Sequence, residues 1–349
     1  MAVVNGTATD AVDLYNKLYD FLTAHPDLVA AGQAWERVTS VGLAPPLVAD
    51  TDTAEDGIKG AVMLKGPGMA GQDEIFVSLY LYDNTAINRQ MIYLHGHNGV
   101  FPESPRYDGH INTSPRKGFV VWNQPMAYWL VASGRRFYGR VKLGTVYQPF
   151  YGGLYLPYAL PQTNPYPLAI GGTTALSTSD VGQETTGNIH CAFFDPYSIQ
   201  LAALNPAGSW DDYDNGTSAD DYDRSSGGAR LFPYNCVARP RTLDVQYGDL
   251  LPPPSYRSNY SYAKFDQLQS FFIRNQTPLL GGGYLLTPIT LHSGKPGVPG
   301  TFGILDGVFH VSGVDNVSDN IVQVNGVDHL VVQNVYRTST NSYAALRLE

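Results

Sequence analysis

The chain has 349 residues, 15% of them charged and 43% hydrophobic, with a net charge of −9. That balance supplies a real core and excludes a coiled coil, a disordered solvating chain and a basic nucleic-acid-binding tail. Aromatic residues reach 12%, led by 24 Tyr, and 36 Gly with 24 Pro mark a turn-rich, β-rich chain. At about 150 residues per domain, the length fits two or three domains, or one large β domain with insertions.

The first segment carries the one strong helical pattern. Ala11, Leu14, Tyr15, Leu18, Phe21 and Leu22 form an apolar stripe at the helical period. Thr7 and Thr9 are N-cap candidates, and Asp10 and Asp13 suit the positive end of the helix dipole. His25-Pro26 ends the pattern, because a residue before proline avoids the α region. A short second helix is expected from Asp27 to Ala31, before Gly32. Residues 1–35 thus read as an N-terminal helical arm, packed either on its own β domain or on a neighbouring subunit. On the second reading, deleting residues 1–25 impairs assembly more than folding.

After Trp35 the period changes to two. Ile75, Val77, Leu79 and Leu81 fall on one strand face, with Phe76, Ser78, Tyr80 and Tyr82 on the other. Further strands are expected at Gln90–His95, Tyr128–Ser133, Phe137–Tyr147, Ile189–Phe194, Tyr256–Phe265 and Tyr284–Leu291. The proline- and tyrosine-rich run Tyr147–Pro167 reads as extended chain, edge strand or long loop, since proline is kept out of central strands. Its tyrosines offer rigid contact area, to neighbours or within the protomer.

Residues 206–255 read as an acidic and Pro-rich surface excursion, with Asp-rich runs near Asp211–Asp223 and a stiff Leu251-Pro-Pro-Pro-Ser255 spacer. Around it stand a β-rich domain over 36–205 and a C-terminal β region over 256–349, which together could form one domain. In the latter, Gly307–Val311, Ile321–Val324, Val327–Tyr336 and Tyr343–Leu348 read as strands. Asn325-Gly326 is a strong type I′ hairpin signal. No repeat of 20–50 residues is visible, which disfavours a solenoid or propeller. The expected fold is mainly β: sandwich- or barrel-like antiparallel domains, an N-terminal amphipathic helix and long Pro/Tyr-rich loops.

Few motifs carry chemistry. Arg116-Lys117 and Arg135-Arg136 are isolated cationic pairs, not the basic stripe that a duplex requires, so no direct nucleic-acid binding is expected. Cys191 and Cys236 make no disulfide framework and no CxxC zinc site; whether they pair is open. The start, MAVVNGTATD, lacks the basic and apolar regions of a secretory leader, and no apolar run is long enough to span a membrane. His95-Gly-His97, with His110 nearby, places two imidazoles on one strand face, an arrangement able to bind a transition metal; nothing fixes a third ligand. A calcium loop begun at Asp211 fails at Tyr213 and Tyr222. Nucleophile-elbow, zinc-protease and phosphate-loop motifs are absent. The residues therefore assign no catalytic, cofactor or metal site.

Two stretches, however, are recognisable. Trp122–Phe137, continued by Val141–Tyr147, Gly153–Pro161 and Tyr166–Leu168, resembles a family of uncharacterised virion structural proteins of tailed bacteriophages, of tail or baseplate type. So does Gly303–Gly313, continued by Val327–Arg337 and Ala344–Leu348, and the opening Gly6-Thr-Ala-Thr-Asp10 looks like the same family's start. The His95-Gly-His97 region departs from that family's pattern. The resemblance implies a non-enzymatic particle component, assembled in the host cytoplasm and located in the virion. It would bind other virion proteins and form a homo-oligomer within a symmetric particle. The tail baseplate or tail tip is the first expectation. The alternatives are a head–tail connector or capsid decoration protein, a host-surface glycan-binding tail module, and a tail-associated polysaccharide hydrolase.

Overall fold

The computed structural model describes residues 1–42, 57–68, 75–84, 89–101, 110–160, 162–175, 191–193, 201–211, 229–232, 284–293, 301–338 and 342–349. In chain order these form β1 (Ala2–Ala8), α1 (Ala11–Ala24), α2 (Pro26–Ala30), β2 (Glu36–Gly42), β3 (Ile58–Gly66), β4 (Ile75–Asn84) and β5 (Arg89–His97). Next come β6 (Lys117–Val121), β7 (Met126–Ala132), β8 (Arg136–Leu143), β9 (Val146–Leu154), β10 (Leu156–Pro157), β11 (Leu168–Gly171) and β12 (Thr174–Ala175). The last are β13 (Leu201–Leu204), β14 (Trp210–Asp211), β15 (Ala229–Phe232), β16 (Thr287–Ser293), β17 (Thr301–Val311), β18 (Ile321–Val324), β19 (Val327–Gln333) and β20 (Tyr343–Arg347).

The chain is mainly β. Three antiparallel sheets have the orders β1-β7-β8-β9-β11-β13-β14, β15-β16-β17-β20-β19-β18 and β12-β6-β5-β4-β3-β2, and β10 also pairs with β17. They are open sheets, not closed barrels. The first sheet forms the middle layer. On β7, Tyr128, Leu130 and Ala132 enter a core shared with Val62, Leu64, Val77, Leu79, Ile92 and Leu94 of the third sheet. The intervening Val131 enters a second core with Leu305, Val308, Leu330, Val332 and Leu346 of the second sheet. β8 and β9 alternate likewise: Phe137 and Phe150 point to the first core, Tyr138 and Tyr151 to the second. A sheet covered on both faces needs apolar side chains at successive positions, which explains the near-continuous burial of these strands.

The N-terminal segment is built into the first core. All six residues of the α1 stripe are buried there, and Tyr15 Oη donates to Leu79 O at 3.0 Å. β1, absent from the sequence-based expectation, pairs with β7 from Ala2↔Ala132 to Ala8↔Met126. Residues 1–35 are therefore no detached arm. The N-cap is Asp10, not Thr7 or Thr9: its carboxylate accepts from Asp13 N at 2.8 Å, while Asp13 reaches back to Thr9 N at 2.8 Å. Thr7 belongs to β1. The helix ends at His25 and α2 follows, as the His25-Pro26 step requires.

Other elements differ from expectation. The run Phe137–Tyr147 is two strands, turned at Gly144-Thr145. Leu143 pairs with Val146, and Gly144 has φ +61°, as the first central position of a II′ turn needs. The Tyr147–Pro167 run contributes a strand inside the sheet, β9, despite Pro149. Tyr147 donates its N–H away from β8, to Val335 O at 3.0 Å. Residues two apart point the same way, so Pro149 aims its donor-less nitrogen away from β8. On that side β11 covers only Tyr151–Leu154, so no ladder bond is lost.

Cys191–Phe193 are not a strand; Ala192 and Phe193 form a turn, with Ala192 N donating to Gly172 O. β16 begins at Thr287 rather than Tyr284. The Asn325-Gly326 hairpin is present, with φ +53° and +81° at its two turn residues. The expected strand Tyr256–Phe265, the Leu251–Ser255 spacer, nearly all of the acidic run near Asp211–Asp223 and Cys236 lie outside the described residues. Among the described residues no helix is long and apolar enough to cross a membrane.

Deleting residues 1–25 removes β1, α1 and eight buried hydrophobic side chains, of which Leu14, Leu18, Phe21 and Leu22 are each worth about 1.5–3 kcal/mol. The sum is comparable to the whole stability of a typical domain, about 5–15 kcal/mol. The truncated chain is expected to yield no cooperative melt by circular dichroism. A folded truncated monomer would restore the reading of residues 1–35 as an arm docked on a neighbouring subunit.

Candidate functional site

The third sheet turns one face to the first core and the other to a polar, aromatic layer. That layer gathers the histidines singled out in the sequence. His95 and His97 lie on one face of β5 with ring centroids 6.1 Å apart, and His110 stands edge-on to His97 at 5.3 Å. The hydrogen bonds fix the tautomers. A carbonyl only accepts, so His95 Nδ1–H donates to Ser114 O (2.9 Å), and its Nε2 accepts from Tyr80 Oη (3.2 Å). Thr113 Oγ1 donates to His110 O (3.0 Å); it therefore accepts from His97 Nδ1–H (2.9 Å), leaving His97 Nε2 to accept from Ser78 Oγ (2.9 Å).

Every ring nitrogen of His95 and His97 is thus engaged, Nδ1 with the 110–116 segment and Nε2 with β4. Among the described residues no group of three His, Cys, Asp or Glu is arranged to hold a metal ion. The Ser78–His97 pair has the separation of a nucleophile and its base. Its third member, however, is a hydroxyl rather than a carboxylate, and both residues are fully buried. Burial, with the neighbouring His95 and His110 charges, pushes the His97 imidazole down to about 2. A ring so disinclined to take a proton is a poor general base. The layer joins β4, β5 and the 110–116 segment.

Two ionic clusters join the first sheet to the second. On β8, Arg136, Tyr138, Arg140 and Lys142 alternate onto the face opposite Phe137 and Val141. The buried Arg140 pairs with Asp319, which also accepts from Lys142 Nζ (2.7 Å) and Tyr147 Oη (2.8 Å). Burial alone would raise the Asp319 carboxyl. Hydrogen bonds from Lys142 and Tyr147, with the Arg140 and Lys142 charges, outweigh it and hold the group below its ordinary 3.8. At the other end of β8, Asp306 on β17 meets Arg135 Nη2 at 2.6 Å and Arg136 Nε at 2.9 Å. Arg136 also donates to Ser133 Oγ at 3.1 Å.

This second cluster borders a cleft of about 780 Å³, within the range of small-molecule sites. Elements of all three sheets converge there: Arg135 and Arg136 at the β7–β8 turn, Asp306 on β17, Arg347 on β20, Pro67 after β3, and Gln33 after α2. Sequence reading noted the Arg135-Arg136 pair but not Arg347, which lies more than 200 residues away; only the pairing of β20 with β17 brings it near. Cys191, also singled out, is buried, its N–H donating to Asn334 Oδ1 at 2.8 Å.

The surface carries one further feature. In the proline-rich segment after β9, Tyr158 and Leu160 are 62% and 71% exposed. The segment is nonetheless tied down: Tyr158 N donates to Phe302 O (3.0 Å), and Leu160 O accepts from Thr163 N (2.9 Å).

Compared with known proteins, the chain matches no family model and no curated protein.

Two outcomes follow from these electrostatics. With His97 held far below its unfolded value of 6.5, its contribution to stability is complete above pH 6.5 and is lost as the pH falls towards 2. Between pH 6.5 and 4.5 the His97 share of that loss is roughly 2 kcal/mol, and denaturant titrations of the His97→Gln variant should show a correspondingly flatter pH slope. Asp319→Asn leaves Arg140 buried without its counter-ion, a change that costs about 3–5 kcal/mol when both ions are buried. The Asp319 side chain is 36% exposed, so screening reduces the expected loss at neutral pH to roughly 2 kcal/mol. Because the carboxylate's value is lowered, that loss shrinks as the pH falls below 3.8, a trend urea melts at pH 7 and pH 3 would register.

Proposed function

We propose that this chain is a structural subunit of a tailed-phage virion, placed at the tail baseplate or tail tip and acting through contacts with neighbouring subunits. The carrying observation is where the family-like stretches lie. The stretches 122–137, 141–147, 153–161 and 166–168 cover β7, β10 and parts of β8, β9 and β11; 303–313, 327–337 and 344–348 cover β19 and most of β17 and β20; and Gly6–Asp10 supplies the end of β1 and the α1 cap. Scattered in sequence, they assemble into one scaffold: β1 pairs with β7, β10 pairs with β17, and Asp306 of β17 pairs with Arg136 of β8. The resemblance thus follows a single structural unit, as shared descent of a scaffold would.

The exposed Tyr158 and Leu160 supply contact chemistry. They sit on a segment already ordered by Pro157 and the Phe302 hydrogen bond, so binding there immobilises little further chain. Their position on the particle surface or between subunits is the mechanism proposed: a rigid apolar tip that enters a neighbour's groove.

Mass spectrometry of purified particles should find the chain in fixed copy number, and immunogold label should fall on the distal tail. Label on the neck or shell would transfer the reading to a connector or decoration protein, and absence from particles would overturn it. A Tyr158→Ser, Leu160→Ser double variant should melt like the parent, since surface changes typically stay within about 0.5 kcal/mol. Its incorporation into particles should fall at least tenfold; undiminished incorporation removes the tip from the interface.

A further inference from the structure

We propose that the cleft between the three sheets binds an anionic sugar, a polyhydroxylated ring bearing a carboxylate or phosphate group. The charge account comes first. Arg135 and Arg136 share one carboxylate, Asp306, so that cluster keeps a surplus positive charge. Arg347 lines the same cleft, is exposed, and makes no side-chain ion pair or hydrogen bond among the described residues. Glu349, the other acid on the wall, lies beyond ion-pair distance of all three arginines. In a chain of net charge −9, this is a local reversal of sign. Guanidinium groups match carboxylate and phosphate through paired N–H bonds, so the ligand carries one of these groups.

A second, independent feature asks for a donor. Gln33 lines the cleft with its Oε1 buried and without a hydrogen-bond partner. A simple anion such as sulfate has no proton to give it, whereas a sugar hydroxyl does. The wall between these groups carries little side chain. Gly68 and Gly134 are joined by a 3.0 Å hydrogen bond, and a Cβ on Gly134 would stand 2.6 Å from Pro67 Cγ. A sugar ring can lie against this glycine-lined wall with its acid towards Arg347 and a hydroxyl towards Gln33.

The site is also prebuilt. Tyr138 Oη donates to Arg347 O at 2.7 Å and so fixes the β20 backbone, while Asp306 locks the two neighbouring arginines. Ligand binding therefore requires only the exposed Arg347 side chain to settle. The inference stands apart from the virion reading, because it concerns the isolated chain.

The test is isothermal titration of the full chain with glucuronic acid, glucose 6-phosphate, glucose and inorganic phosphate. At least one anionic sugar should bind ten times more tightly than glucose and ten times more tightly than phosphate. Which one binds separates the carboxylate from the phosphate source. Arg347→Gln and Gln33→Ala, each shown by thermal melting to remain folded, should weaken that binding at least tenfold. Equal binding of glucose removes the arginines from recognition, and equal binding of inorganic phosphate removes the sugar ring from it. Unchanged affinity in Arg347→Gln, or no binding by any probe, overturns the proposal.

Discussion

The middle sheet is buried on both faces, and most of the architecture answers that constraint. Each of its central strands must satisfy two cores at once, with even and odd positions bound for different layers. β7 does this with aliphatic and aromatic residues alone. β8 does not: Arg136, Arg140 and Lys142 share the face that meets the second sheet, so three cations are carried into an interface between layers. An unpaired cation there would be strongly destabilising. Asp306 and Asp319 are the counter-charges, and each arrives from the second sheet or its connecting loop. The two layers are therefore registered by charge as well as by packing. This gives the ion pairs a specifying role, because sliding the second sheet along the first would separate both aspartates from their arginines together.

The same constraint explains why the chemistry-bearing residue types are largely internal. His95, His97, Ser78 and Tyr80 look like reaction machinery when read in a row. In the fold they close hydrogen bonds between β4, β5 and the 110–116 segment, and each donor in the Ser78–His97–Thr113 chain has an acceptor. A polar layer satisfied in this way rigidifies a sheet that would otherwise have an apolar outer face. The neutral state of His97 is part of that arrangement, since protonation would convert its acceptor nitrogen into a donor facing Ser78.

Local pattern made much of this legible. The α1 stripe, the period-2 alternation of β4, the Asn325-Gly326 hairpin and the stop at His25-Pro26 depend on neighbours in sequence, and all four stand in the fold. The failures have a shared cause. β1 is a short run broken by Asn5 and Gly6, and its strand conformation comes from pairing with β7, over 120 residues away. Pro149 reads as an edge signal, yet the strand is interior over Tyr151–Leu154, and the proline lies in the stretch that β11 does not cover. Thr9 looked like a cap, but Asp10 is one residue closer to the first helical turn. The cleft was illegible for the same reason: Arg135, Gln33 and Arg347 belong to different thirds of the chain, and only sheet order makes them neighbours.

The division of labour between these regions has a physical logic. A subunit that assembles by an apolar tip needs that tip held at a fixed position, and here the Tyr158 backbone is bonded to Phe302 on β17, the strand that also carries Asp306. Tip, clamp and cleft are thus mounted on one strand. A ligand drawn to Arg347 and Arg135 would load the Asp306 cluster, four residues along β17 from the tip's own contact at Phe302. Coupling between two such sites requires an element with two discrete arrangements, not proximity alone. β17 does not supply one by itself: it is paired to β16, and to β10 and β20 over Gly303–Ile304 and Val308–Val311, and a strand held by neighbours in this way resists shear. The arrangement therefore favours a stiff scaffold on which the proposed anion site and the proposed assembly surface act independently.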